Sequence, residues 1–275
     1  MSRTKTVGRQ EINAEKKRSQ LLEIWRRLKK NKVAVVGLVI LGVLLCVAIF
    51  ADVIVDYDLG IRQNMAIKLQ KPSAEHWLGT DAYGRDLFAR IVHGSRISLS
   101  IGFIAVLVSL LIGGAIGSIA GYYGGKADIV IMRFVDILMA IPSTLMCICV
   151  VTVLGPGMVN LMIAVTISFV ATFCVIIRSS ILTIKNADYI EAARAIGVST
   201  FRIIVRHIIP NTMGPIMVQA TLSIGSVILC AAGLSFVGLG VMPPTPEWGA
   251  ILTEGKEAIP PPARIISREM LAALN

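Results

Sequence analysis

A chain of 275 residues that is 55% hydrophobic and only 16% charged, with mean hydropathy +0.75, falls well short of the roughly 25% charged residues of a water-facing globule. Its formal net charge is +10, and residues 1–32 hold eleven Lys/Arg against three Glu. Basic charge packed directly ahead of an apolar run argues against a nucleic-acid-binding surface and for a leader that sets membrane orientation.

Five segments approach the ~20 apolar residues that a bilayer-crossing helix needs. The first, 33–51, follows the basic leader 1–32 and is closed by Asp52 and Asp56. It is too long for a signal-peptide core and no small-residue cleavage site follows, so it reads as a retained span. Residues 52–96 form a loop of nearly balanced charge. The second span, 97–123, lies between Arg96 and Lys126. The third, 137–154, follows Asp136 and ends at Gly155-Pro156-Gly157, and the fourth, 161–177, stops at Arg178. The fifth, 213–241, ends at Pro243-Pro244-Thr245-Pro246. Residues 97–258 therefore form a core with spans two to five and a cytoplasmic loop at 186–211, and residues 259–275 a divergent tail. The fold class is all-α, a polytopic membrane protein with five transmembrane helices.

Excess Lys/Arg marks the cytoplasmic side. The leader places the N-terminus inside and residues 52–96 outside. Residues 124–136 return inside, 155–160 make an outer turn, and 178–212, with Arg178, Lys185, Arg194, Arg202 and Arg206, lie inside again.

All five cysteines (Cys46, Cys147, Cys149, Cys174, Cys230) sit in apolar runs, and His76, His93 and His207 fall elsewhere. Cys147 and Cys149, two apart on a helix, point to different sides. The cysteines read as small buried hydrophobes, with neither a metal site nor a catalytic constellation. In the second span Gly113, Gly117 and Gly121 recur every four residues, extended by Ser109, a spacing that lets helix backbones approach closely in lipid. Gly233, Gly238 and Gly240 suggest the same device near an outer mouth. No span has a charged residue at its centre, where ion-coupled carriers usually need one; Gln219 is the most polar side chain there. The stretch from Gly121 to Lys126 lacks the Gly-Lys-Ser/Thr ending of a phosphate-binding loop. The chain is expected to bind no cofactor, so any nucleotide belongs to another polypeptide.

The most informative stretch runs from Asp188 to Asn211. Asp188 is expected to cap a short helix carrying Glu191 as the partner of a capping box. Ala192, Ala193 and Ala195 keep that helix slim, and Gly197 ends it. Ser199 starts a second helix on which Arg202 and Arg206 share a face, and Pro210 closes it. A DNA-reading helix-turn-helix needs a freedom that a short loop between two spans lacks. Docking to a cytoplasmic partner is the better reading.

This stretch resembles the Glu-Ala-Ala loop of bacterial ABC-importer permeases, matching at Glu191, Ala192, Ala193, Gly197 and Pro210 and departing at His207 and Ile209. The segment His76-Trp77-Leu78-Gly79-Thr80-Asp81, then Gly84-Arg85-Asp86, Arg90, Gly94 and Arg96, resembles the dipeptide/oligopeptide/nickel branch. So does the run from Leu234 to Gly240 leading to Glu247-Trp248-Gly249, and the likeness is to the second, C-type permease of the pair. The resemblance implies a non-enzymatic permease subunit of an ATP-driven peptide importer in the bacterial inner membrane. Glu191, Ala192, Ala193, Gly197, Arg202, Arg206 and Pro210 would couple it to an ATPase. Implied partners are a second permease subunit, two ATP-binding subunits carrying ATP and Mg, an extracytoplasmic solute-binding protein and membrane lipid, but no nucleic acid. A permease for nickel or another small solute, or a self-contained channel or secondary carrier, are the alternatives. Members of the family usually have one more span. Here residues 254–275 carry six charges and the run Pro260 to Pro262, so the tail reads as a truncation or frame change, with Ile265, Ile266, Met270, Leu271 and Leu274 able to form an interfacial helix.

Overall fold

The computed structural model describes Arg26 and residues 28–258, so most of the basic leader and the whole tail 259–275 lie outside the described residues. Every regular element among them is helical, and Thr80 and Asp86 form an isolated bridge. The chain divides into two units, one ending at Phe50 and one beginning at Ala51.

The first unit contains α1 (Lys32–Ile49). Asn31 starts it by accepting from the N–H groups of Val33 and Ala34 at 3.1 and 3.3 Å. Its 18 residues span about 27 Å, close to the hydrocarbon thickness. The helix stops two residues short of the expected 51, because Phe50 is its cap and Ala51 begins another element.

The second unit opens with two short helices, α2 (Ala51–Ile54) and α3 (Tyr57–Ile61). A connecting segment follows, tied to itself by backbone hydrogen bonds such as Asn64 N to Tyr83 O and Leu69 N to Asp81 O, both 3.0 Å. Next come α4 (Leu87–Tyr123), α5 (Gly125–Ala140), α6 (Ser143–Leu154) and α7 (Met158–Ile184). The stretch between α7 and the last long helix holds α8 (Asp188–Ala195) and α9 (Thr200–Ile203), then a π-helical turn Ile204–Ile208 and α10 (Ile209–Asn211). The last two are α11 (Met213–Phe236) and α12 (Trp248–Ala258). Helices α1, α4, α7 and α11 are each long and apolar enough to cross a membrane, with a fifth crossing if α5 and α6 count together.

Several expected boundaries are corrected. The second span begins at Leu87 rather than 97, since Asp86 caps it by accepting from Ala89 N at 2.8 Å and its polar first turns are buried in protein. Hydropathy locates the lipid-facing part of a helix, not its ends. The expected third span 137–154 is not one straight helix, and the helix before its bend begins already at Gly125. Helices α5 and α6 meet at 88°, because Pro142 disfavours a helical residue before it and Ile141 is extended at φ −92°, ψ 125°. The fourth span runs past the expected stop at Arg178. That arginine donates to Asp128 at 2.5 and 2.6 Å, so its charge is paired and the helix continues to Ile184. The fifth ends at Phe236, five residues early.

In lipid, apolar burial gives little drive for helices to associate, and close packing replaces it. The seam between α4 and α7 is built that way. A Cβ on Gly113 would strike the carbonyl of Val170, one on Gly117 the carbonyl of Cys174, and one on Gly121 would come within 3.1 Å of Arg178 O and Ile181. Gly233 and Gly238 have no such neighbour within 4 Å, so the expected packing device near the outer mouth is absent at these two; Gly240 alone is tight, against Ser235. Ile101, Ala105, Val106, Val151, Leu161, Phe173 and Val227 fill a core shared by α4, α6, α7 and α11.

Candidate functional site

The hairpin at 188–211 is held by its apolar underside. Ile190 and Ala193 of α8, with Ile203 and Ile208, are buried against Ile177 and Ile181 of α7 and Ile216 of α11. Asp188 does not cap α8; the cap position is Ala187, and Asp188 and Glu191 lie in the first turn, where carboxylates oppose the positive end of the helix dipole. Gly197 terminates the helix at φ +77°. Its N–H donates to Arg194 O at 2.9 Å and that of Val198 to Ala193 O at 3.1 Å, the paired bonds of a Schellman motif. Nothing lies within 4 Å of a Cβ there, so the need for glycine is conformational.

Arg194 spreads its guanidinium over the Tyr122 ring at 5.1 Å, and Lys185 Nζ donates to Gly121 O at 3.2 Å. The first contact fastens the hairpin, and the second the end of α7, to the C-terminal end of α4. Pro210 does not close the second helix, which continues to Asn211. A proline clashes with the carbonyl four residues back, and the π-turn before it, with Ile209 N–H donating to Ile204 O, absorbs that conflict.

The structure therefore splits the sequence-derived residues. Ala193 is buried against its own chain, so it is not part of a free groove-entering face. Glu191, Ala192, Gly197, Arg202, Arg206 and Pro210 are exposed, and beside them Ile196 is 81% and Phe201 76% exposed. Sequence reasoning missed these two; helical periodicity marks apolar residues as core without saying which lie at a tip.

At the other end of the unit lies a cluster that sequence reasoning quoted only as separate motifs. Asp81 accepts from Arg85 Nε at 2.7 Å and Arg90 at 2.6 Å, and Glu254 of α12 accepts from Arg85 at 2.5 Å and also from Arg90. Both arginines are 1% exposed. Burial pushes the Asp81 carboxyl up, but the backbone and guanidinium of Arg85 and the N–H of Tyr83 outweigh it and hold its pKa below the usual carboxylate range. Nearby, Glu247 caps α12 through the N–H groups of Gly249 and Ala250, both at 2.9 Å, while accepting from Ser98. His76 Nδ1 lies 2.8 Å from Asp86, and His93 Nε2 2.9 Å from Val55 O. No group of three or more His, Cys, Asp or Glu stands together as metal ligands among the described residues.

Residues 113–274 match the family described as "Binding-protein-dependent transport system inner membrane component". The chain belongs to that family. Residues 19–72 of this permease also match the N-terminal TM domain of oligopeptide transport permease C. It is 46% identical to the dipeptide transport system permease protein DppC of Alkalihalophilus pseudofirmus, covering 86% of this chain and 78% of that protein. The glutathione transport system permease protein GsiD of Pectobacterium atrosepticum is 42% identical over 85% and 78% of the two chains. The oligopeptide transport system permease protein OppC of Bacillus subtilis is 40% identical over 90% and 82%. Inward-facing structures of the MetNI methionine ABC transporter share the fold of this permease at 18% identity and TM-score 0.53, covering 67% of this chain and 89% of theirs. The permease is an integral membrane protein of the transport class.

Proposed function

We propose that this permease is the C-type membrane subunit of an ATP-driven importer of peptides in the bacterial inner membrane, with its N-terminus cytoplasmic. The observation that carries the coupling role is the hairpin's two-sidedness: an isoleucine underside buried on α7 and α11, and an exposed tip presenting Ile196, Phe201, Glu191, Arg202 and Arg206. An exposed apolar tip rimmed by charge is the kind of surface a partner protein covers. A short helix with both ends fixed moves as a rigid lever, so force applied at the tip passes to α7 and α11. Two ATP-binding subunits supply that force, with ATP and Mg bound there and none on this chain. A second permease subunit completes the pathway, and an extracytoplasmic binding protein delivers the solute at the outer face near residues 52–96 and 242–250. The named cargoes of the curated relatives, dipeptide, oligopeptide and glutathione, favour peptides over nickel.

The test uses the whole transporter. Ile196→Ser together with Phe201→Ser should leave the permease inserted in the membrane but abolish co-purification of the ATP-binding subunits and peptide uptake. Glu191→Ala should leave ATP hydrolysis running while uptake falls. Unchanged uptake in both variants would overturn the coupling role.

A further inference from the structure

Cys147 on α6 and Cys230 on α11 stand 83 residues apart in sequence and 3.8 Å apart sulfur to sulfur. The sequence alone placed them in separate spans as unrelated buried thiols. We propose that they form a dithiol site which hydroperoxides convert to an intramolecular disulfide tying α6 to α11.

The surroundings favour this pair. Cys147 is fully buried and held in place, its Sγ 3.7 Å from the carbonyl of Ala164 and 3.1 Å from Ser168 Oγ. Cys230 is only partly buried. Ser168 also lines a cavity of about 230 Å3 with Met139, Pro142, Ser143 and Met146, at the bend between α5 and α6. A water's share of liquid volume is about 30 Å3, so a peroxide fits in that cavity, one side chain (Ser168) removed from Cys147. Bonded sulfurs lie about 2.0 Å apart, so forming the bond requires the two sulfurs to close from 3.8 Å. Of the other three cysteines, Cys46 and Cys149 are exposed and Cys174 packs under Gly117 of α4.

The chemistry balances in two steps. The half-buried Cys230 thiol attacks the terminal peroxide oxygen, the O–O bond breaks, the leaving oxygen takes the thiol proton, and the products are a Cys230 sulfenic acid and water, or an alcohol where the hydroperoxide is organic. The Cys147 thiol then attacks that sulfur, forming the S–S bond and releasing the sulfenic oxygen as a second water. The cysteine pair loses two electrons and two hydrogens and the peroxide is reduced. A dithiol reductant reverses the bond by exchange.

The experiment treats the full chain, purified in lipid nanodiscs, with hydrogen peroxide. The expected result is a mass loss of two hydrogens, a non-reducing digest in which an α6 peptide is joined to an α11 peptide, and reversal by dithiothreitol. Cys147→Ser and Cys230→Ser should each abolish the joined peptide, whereas Cys46→Ser with Cys149→Ser and Cys174→Ser should keep it. Dibromobimane, which bridges neighbouring thiols without oxidation, should fluoresce on the untreated chain and not on either single variant. A joined peptide that survives in Cys147→Ser or Cys230→Ser would overturn the proposal. So would Cys147 and Cys230 remaining separately alkylatable after peroxide, added oxygens in place of a bridge, or no bimane bridging.

Discussion

Arg90, near the start of α4, and Glu254, on α12, form a buried ion pair across 164 residues of sequence, with Arg85 and Asp81 completing the cluster. Two arginines and two carboxylates balance, which is why four charges tolerate such burial. Removing one leaves its partner desolvated, a loss of about 3–5 kcal/mol. Arg90→Ala should therefore sharply lower the melting temperature of the purified permease. Arg62→Ala, at an exposed position in the segment before α4, should leave it within the error of the measurement.

Asp81 carries a pH signature. Its carboxyl is held below the usual carboxylate range in the folded chain, so the folded state binds its proton less readily than the unfolded chain does. The stabilisation is fully present above the unfolded value of an aspartate, about 3.9, and is lost as pH falls through the lower folded value. Unfolding followed by tryptophan fluorescence should show the native chain losing stability below about pH 4. Asp81→Asn, less stable at neutral pH, should lack this part of the acid dependence; an unchanged acid profile would contradict the assignment.

Close approach at the seam between α4 and α7 predicts a contrast among glycines. Gly117→Ala pushes a methyl into the Cys174 backbone and should cost about 1–3 kcal/mol. Gly225→Ala, on α11 with nothing within 4 Å, should be neutral or slightly stabilising, since alanine favours helix. Thermal unfolding of the two variants in one detergent decides the matter.

The pairing of Arg178 with Asp128 explains how a charged residue sits inside α7. Arg178→Ala should destabilise the chain because it strands Asp128, and adding Asp128→Ala should recover part of the loss. The coupling energy from this double-mutant cycle should be about 1 kcal/mol or more, since the pair is bidentate and part-buried. Additive losses would mean the two side chains do not interact.

The sequence by itself determined the solvent, the approximate number of crossings, the packing glycines and the place of the hairpin, because each depends on local signals: apolar length, residue size at four-residue spacing, and caps such as Gly197. It misplaced helix ends wherever a polar residue is paired inside protein, as at Arg90 and Arg178. It also read the apolar run of 137–154 as straight across Pro142. Only the tertiary structure decided that Arg90 meets Glu254, that Ala193 is buried while Ile196 and Phe201 stand free, and that Cys147 faces Cys230. Such pairings join residues far apart in the chain, and hydropathy carries no information about which helix faces which. In lipid that choice is made by shape complementarity and by the need to neutralise every buried charge.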